Sequence, residues 1–208
     1  MKKLKHNRGF TLVELVVAMA ITVIIVGAVA MMAGPMLQMS ASIRSNANYD
    51  TACDTANSYI RSKLETAKAA SIVAFTSGDE TDITTYVSSL TGTAYAVAVY
   101  GGKLYDLGEI VASDVNIKSK LNNVNSVFND NFYNGYLYSA GIASQIESGT
   151  AVAKWLRITS QFKDSTGGIA NQERTLSFKI LSGNMDLSGS DVAQGNSFVI
   201  FYTKPDFS

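Results

Sequence analysis

The chain has little of what most side-chain chemistry is built from. In 208 residues it holds one cysteine, Cys53, and one histidine, His6. A single cysteine excludes an internal disulfide framework and any cysteine-rich zinc site. His6 is all the imidazole available for general-base or metal-ligand work. There is no P-loop, no GxGxxG run and no calcium-loop spacing. Charge is also scarce, at 16% of residues, with 17 basic side chains against 17 acidic ones. That balance excludes a chain gripping nucleic acid through bulk positive charge, and 47% apolar content argues against disorder. Only two prolines occur, Pro35 and Pro205. Internal repeats and low-complexity tracts are absent.

What is present is unevenly placed. The length suits one domain with room for a small second unit. The first eight residues carry four cations (Lys2, Lys3, Lys5, Arg8) and no acid, so the remainder is acidic, with a side-chain net of −4. From Phe10 to Leu37, 22 of 28 residues are apolar, and the one charge among them is Glu14. As a helix that segment is roughly 42 Å long, against about 30 Å of bilayer hydrocarbon. A basic flank on its N-terminal side places the N-terminus in the cytoplasm and the rest of the chain outside.

Three readings compete for the segment. A secretory signal peptide has the same basic start and apolar centre, and Ala28-Val29-Ala30 supplies a cleavage site for it. A plain membrane anchor is the second. Neither has a use for Glu14, because a carboxylate inside a membrane helix is costly and marks function by default. The third reading follows from residues 8–17, Arg-Gly-Phe-Thr-Leu-Val-Glu-Leu-Val-Val. This stretch resembles the N-terminus of type IV prepilins and the related pseudopilins: a short basic leader ending in glycine, then phenylalanine, an apolar run, and glutamate five residues after the cut.

The resemblance covers residues 1–37 and implies the following. Residues 1–9 are a leader, cut between Gly9 and Phe10 by a membrane-embedded prepilin peptidase that also N-methylates Phe10. Residues 10–37 are the transmembrane half of a long helix, and residues 38–208 form an extracytoplasmic head. Glycine suits the cut because it has no side chain and no backbone preference. The new amine at Phe10 is the natural counter-ion for Glu14 of a neighbouring subunit, a pairing that sets axial register. Other pilin or pseudopilin subunits are the expected partners. The membrane holds the chain before assembly, and a pilus or pseudopilus at the cell surface afterwards. No cofactor, no metal and no enzymatic activity are expected. Gly34-Pro35 departs from the pattern, since a pilin's membrane-helix proline usually lies about one turn nearer the cut. Gly27 matches the glycine that often accompanies it. A bend at the membrane surface and a segment that melts on assembly both stay open as roles for Gly27 and Pro35.

Beyond Pro35 a three- and four-residue period resumes through Met36, Met39, Ile43, Cys53, Ala56, Ile60, Leu64 and Ala67. It predicts a helix to about residue 70 with Cys53 packed as a small hydrophobe. The period then changes to two. Strands are predicted at Ala94–Tyr100 with a Gly101-Gly102 turn into Lys103–Leu107, at Trp155–Phe162, at Arg174–Leu181 and at Ser197–Thr203. A short helix is predicted near Val115–Phe128 and a strand near Tyr133–Ala140. The fold class is α+β, with an antiparallel sheet packed on the outer half of the helix.

The head shows no catalytic constellation. Without its leader it has no histidine, so neither a Ser-His-Asp nor a Cys-His pair can be built. Asp79-Glu80-Thr81-Asp82 reads as a solvated loop or an ion site, although it lacks the alternating ligands of a calcium loop. Asn129–Tyr138 reads either as an exposed aromatic surface for sugar or partner binding or as a loop and half-buried strand. Two classes remain. One is a filament subunit of a motility, secretion or DNA-uptake system; the other is a membrane-anchored ectodomain that binds a ligand as a monomer. The −4 charge disfavours direct nucleic-acid binding. The missing disulfide departs from many Gram-negative pilins and fits a Gram-positive relative or a pseudopilin.

Overall fold

The computed structural model describes residues 11–67, 69–75, 93–110, 117–146, 153–179, 187–189 and 191–204. Gly9, Phe10 and the acidic group at 79–82 lie outside the described residues. Two compact units divide the chain, Met1–Ser45 and Asn46–Ser208. Helix α1, Leu12–Leu64, contributes to both.

In the second unit, α1 presents Tyr49, Ala52, Cys53, Ala56, Asn57, Ile60 and Leu64 as one buried stripe at the three- and four-residue steps of a helix face. The strands are β1 (Ala69–Phe75), β2 (Ala94–Tyr100), β3 (Lys103–Ile110), β4 (Leu137–Ile146), β5 (Ala153–Lys163), β6 (Arg174–Lys179), β7 (Leu187–Gly189) and β8 (Ser197–Thr203). They form two sheets where the sequence suggested one: a five-stranded sheet ordered β3-β2-β8-β1-β7 and a three-stranded one ordered β4-β5-β6. Among the described residues all pairs are antiparallel except β1 with β7. Both sheets share a core with the α1 stripe, the larger through Ile72, Val99 and Ile200, the smaller through Ile142, Leu156 and Phe162. Helix α2, Ile117–Asn123, covers the other face of the larger sheet over Ala96, Ala98, Val199 and Phe201. Strands β2 and β8 are thus buried on both faces, which is why they read as nearly continuous apolar runs.

The β2–β3 hairpin turns on Gly101 and Gly102, at φ 55° and 76°. That mirror-image turn matches the twist of paired strands. A Cβ on Gly102 would come within 2.6 Å of Leu137, so only glycine fits there.

Several boundaries differ from the sequence expectation. Helix α1 stops at Leu64 rather than near residue 70, although no glycine or proline lies between Pro35 and Gly78. The stop comes from pairing: β1 begins at Ala69 and matches β8 over seven residues, and a long ladder outweighs a few residues of helix propensity. Met36, Met39 and Ile43, read as part of the packed stripe, are exposed. Helix α2 ends at Asn123 rather than Phe128, because Ser126 bridges to Tyr105 and the Val127 N–H donates to the Leu104 carbonyl on the edge of β3. Strand β4 begins at Leu137 rather than Tyr133. The preceding residues form a one-turn helix, α3 (Asp130–Tyr133), capped by the Asn129 side chain accepting from the Phe132 N–H. Strand β6 is described to Lys179. The aromatics of 129–138 are not an exposed surface: Tyr133 and Tyr138 are buried, and Phe132, Tyr133 and Tyr138 all pack against Phe162.

Cys53 is fully buried beside Asn171, and burial pushes its thiol above the ordinary value. It packs as the small hydrophobe expected. Asn57 interrupts the apolar stripe. Its Oδ1 accepts from the Tyr138 hydroxyl (2.7 Å) and the Ser160 hydroxyl (3.0 Å), tying the helix to β4 and β5.

Candidate assembly site

The start of α1 is a reciprocal cap. Thr11 stands just outside the helix, and the Leu15 N–H donates to its carbonyl at 3.2 Å. The Glu14 N–H donates to Thr11 Oγ1 at 3.3 Å. In return Glu14 Oε2 accepts from the Thr11 N–H at 2.9 Å and the Thr11 hydroxyl at 3.0 Å. This is the capping box, in which Ser/Thr and a Glu three residues on satisfy each other's orphan donors at a helix start. It also places a carboxylate in the first turn, where the helix dipole favours negative charge.

The carboxylate sits at the head of an unusual surface. From Thr11 to Asn48 no residue is buried. Between Leu12 and Leu37 sixteen large apolar side chains are exposed. Burying each is worth about 1.5–3 kcal/mol, so this face forgoes tens of kcal/mol, more than the ~5–15 kcal/mol that typically holds a domain folded. The segment is long and apolar enough to cross a membrane. No charge occurs from Leu15 to Ile43, and the Thr22 hydroxyl donates to the Ala18 carbonyl at 2.8 Å. A polar group that bonds back to its own helix is compatible with hydrocarbon.

The other expected site residues are not gathered around Glu14. Gly27 and Pro35 lie 13 and 21 residues further along, about 20 and 32 Å up the axis. The helix runs unbroken through both, so Pro35 does not end it. Among the described residues, added Cβ atoms on Gly27 or Gly34 would touch nothing; packing against those residues requires neither glycine. The sequence reading missed Thr11. Its signal was legible, since Thr11-Leu12-Val13-Glu14 has the S/T-x-x-E spacing of a capping box directly before an apolar run. Among the described residues no three metal-ligating side chains lie together.

Comparison with known proteins bears on this segment. A family model described as the prokaryotic N-terminal methylation motif matches residues 4–30. No curated protein matches the chain. Two solved structures were found, the PilB minor pilin from Streptococcus sanguinis and a point mutant of it. The first is 15% identical with a TM-score of 0.42, covering 82% of this chain and 36% of that one. The mutant is 13% identical with a TM-score of 0.40, covering 74% and 34%. The chain thus spans about a third of the length of these structures. The N-terminal segment is a methylation motif of the kind that type IV prepilins carry, on a chain with a long apolar helix and a sheet-built head.

Proposed function

We infer that a chain with this motif and this pilin-like architecture is a structural subunit of a type IV pilus-class filament. The observation that carries the reading is the first half of α1: an apolar helix with nothing buried, opening on a single carboxylate. Such a surface needs a second medium. The membrane supplies one before assembly and neighbouring helices supply another afterwards, and only the latter has a use for Glu14.

In this reading a prepilin peptidase cuts between Gly9 and Phe10 on the cytoplasmic side and methylates the new amine. The cut removes four leader cations and leaves one α-amine, with an ordinary pKa near 7.7–8.0. Glu14 of one subunit then pairs with the Phe10 amine of the next. Thr11 holds the carboxylate through Oε2 while Oε1 has no hydrogen-bond partner among the described residues. A mispaired carboxylate would stay uncompensated in a low-dielectric core, which favours one axial register. The head stays on the outer side of the membrane, and the subunit acts by packing rather than by catalysis. Motility, secretion and DNA-uptake filaments share this N-terminal design.

Intact mass of the chain recovered from its own cells tests the reading. A mature start at Phe10 with one added methyl is expected. A retained Met1 in an otherwise folded, membrane-bound chain would overturn it in favour of a monomeric anchored ectodomain.

A further inference from the structure

The smaller sheet has an outer face, turned away from the shared core, and one end of it is exposed. On β5 the side chains of Leu156, Ile158 and Phe162 enter the core, so period-two geometry turns Trp155, Arg157 and Thr159 to the opposite face. Their register partners on β6 are Lys179, Ser177 and Thr175. Of these six only Thr159 is partly covered. Further along, the face closes. Ser139 and Gln161 are buried, and a Cβ on Gly141 would come within 2.7 Å of the Gln194 N in the loop at 191–196.

Trp155 is the chain's one tryptophan, and it is 37% exposed. Among the described residues its ring stacks on no other ring, its indole N–H has no acceptor, and the Arg157 guanidinium has no acidic partner. Nor does any described acid stand in these three rows of β4, β5 and β6. Asp191 touches the edge of β4, where it accepts from the Ser144 N–H (2.9 Å) and hydroxyl (3.2 Å). Glu173 precedes β6 at the end away from Trp155. The patch is therefore one large amphipathic ring, two cations and three hydroxyls.

That composition suits a bilayer surface, where an indole sits at headgroup level and arginine and lysine draw anionic lipid. Arg157 offers a planar fork of donors to phosphate oxygens, and the hydroxyls add neutral donors. Area points the same way. Three rows on two strands cover on the order of 150 Å², against about 800 Å² per side for a stable protein interface. A patch so small holds an occupant only if the occupant is already near. A chain anchored in a bilayer by the first half of α1 keeps that surface near at all times. We propose that this face docks on the anionic headgroups of the membrane that anchors the unassembled subunit, with the Trp155 indole at headgroup level and Arg157 and Lys179 on lipid phosphates. The contact rests on the reading of α1 as a membrane helix. It holds the head at the leaflet until assembly withdraws the subunit.

The test reads the emission of Trp155, which no other tryptophan obscures, in the full chain reconstituted into vesicles. These hold phosphatidylcholine alone or mixed with phosphatidylglycerol, with acyl chains brominated near the headgroup end as quencher. Strong quenching is expected with phosphatidylglycerol, weakening as salt rises, and little with phosphatidylcholine alone. Arg157→Gln is expected to lower the docked-to-free ratio about fivefold, the loss of one cation near an anionic surface. A chain that floats with the vesicles while Trp155 stays unquenched would overturn the proposal and leave the membrane reading standing. A chain that does not float would overturn both. Quenching indifferent to lipid charge, salt and Arg157 would overturn docking on headgroups. So would a Trp155 response to oligothymidylate in micelles with none to phosphatidylglycerol, which would assign the face to a polyanion in solution.

Discussion

The two halves of α1 share one backbone conformation and nothing else. From Thr11 to Asn48 no side chain is buried; from Tyr49 to Leu64 seven are. As far as Leu37 the first half is apolar on every side, the pattern of a helix meant for a membrane or for the core of an assembly. In that stretch the Thr11 and Thr22 hydroxyls bond locally, while one oxygen of Glu14 has no partner among the described residues. The second half is apolar on one stripe and polar elsewhere, and reaches outward through side-chain bonds. Tyr59 and Lys63 converge on Asp106 of β3 at 2.6 and 2.9 Å, and Arg174 of β6 pairs with Asp54 at 2.6 Å. One half therefore carries its stability with it, while the other has apolar surface and one carboxylate awaiting an environment.

Substitutions that act on one half and not the other sharpen this contrast. The largest effect is expected at Glu14. In the proposed pairing, leaving the neighbour's amine without its carboxylate in an apolar core costs about 3–5 kcal/mol, so Glu14→Leu should lower filament incorporation by roughly two to four orders of magnitude with processing and head Tm unchanged. Normal incorporation, measured by sheared-fibre yield, would show that the carboxylate does not set register. Next comes Ile60→Ala, which opens a cavity in the shared core and should destabilise the head by about 2–5 kcal/mol in thermal unfolding. The same change at Ile24, exposed in the first half, should move head stability by less than about 0.5 kcal/mol. Equal effects would erase the contrast.

Smaller effects test the polar ends of the two halves. Thr11→Ala removes one side of the cap and should weaken the first helical turn by about 1 kcal/mol, read as faster amide exchange at Val13, Glu14 and Leu15 in micelles. The smallest is a pH effect at Asp106. Burial alone would raise its carboxyl, but the Tyr59 hydroxyl, the Lys63 ammonium and the Gly108 N–H overcome that and hold it below the ordinary 3.8. A depressed folded value adds stability that is complete above the unfolded pKa and lost as pH falls through the folded one. Head Tm should therefore be level above about pH 5 and decline below it, less so in Asp106→Asn. An identical decline in the variant would place the acid sensitivity elsewhere.

Much of this was legible in order along the chain. The hairpin at Gly101-Gly102, the strand at Ser197–Thr203, the buried Cys53 and the apolar run up to Leu37 all follow from local period and turn chemistry, which act over a few residues. The cap at Thr11 was equally local and went unread. Asn57 and Ser139 were not legible: an asparagine in an amphipathic helix or a serine in a strand has no sequence mark for burial. Nor did the sequence separate Met36, Met39 and Ile43 from Cys53 and Ile60, since their spacing is the same and only the presence of sheets beside the latter distinguishes them.

The sequence by itself determined the processing motif, the expensive carboxylate, the membrane-length helix and the α+β class, because each depends on composition or short-range periodicity. Tertiary structure decided the end of α1 at Leu64, the split into two sheets with a parallel β1–β7 pair, and the burial of Asn57 against Tyr138 and Ser160. Those depend on which strands pair across long separations, such as β1 with β8, and pairing is set by the burial a whole sheet gains rather than by any residue's own preference.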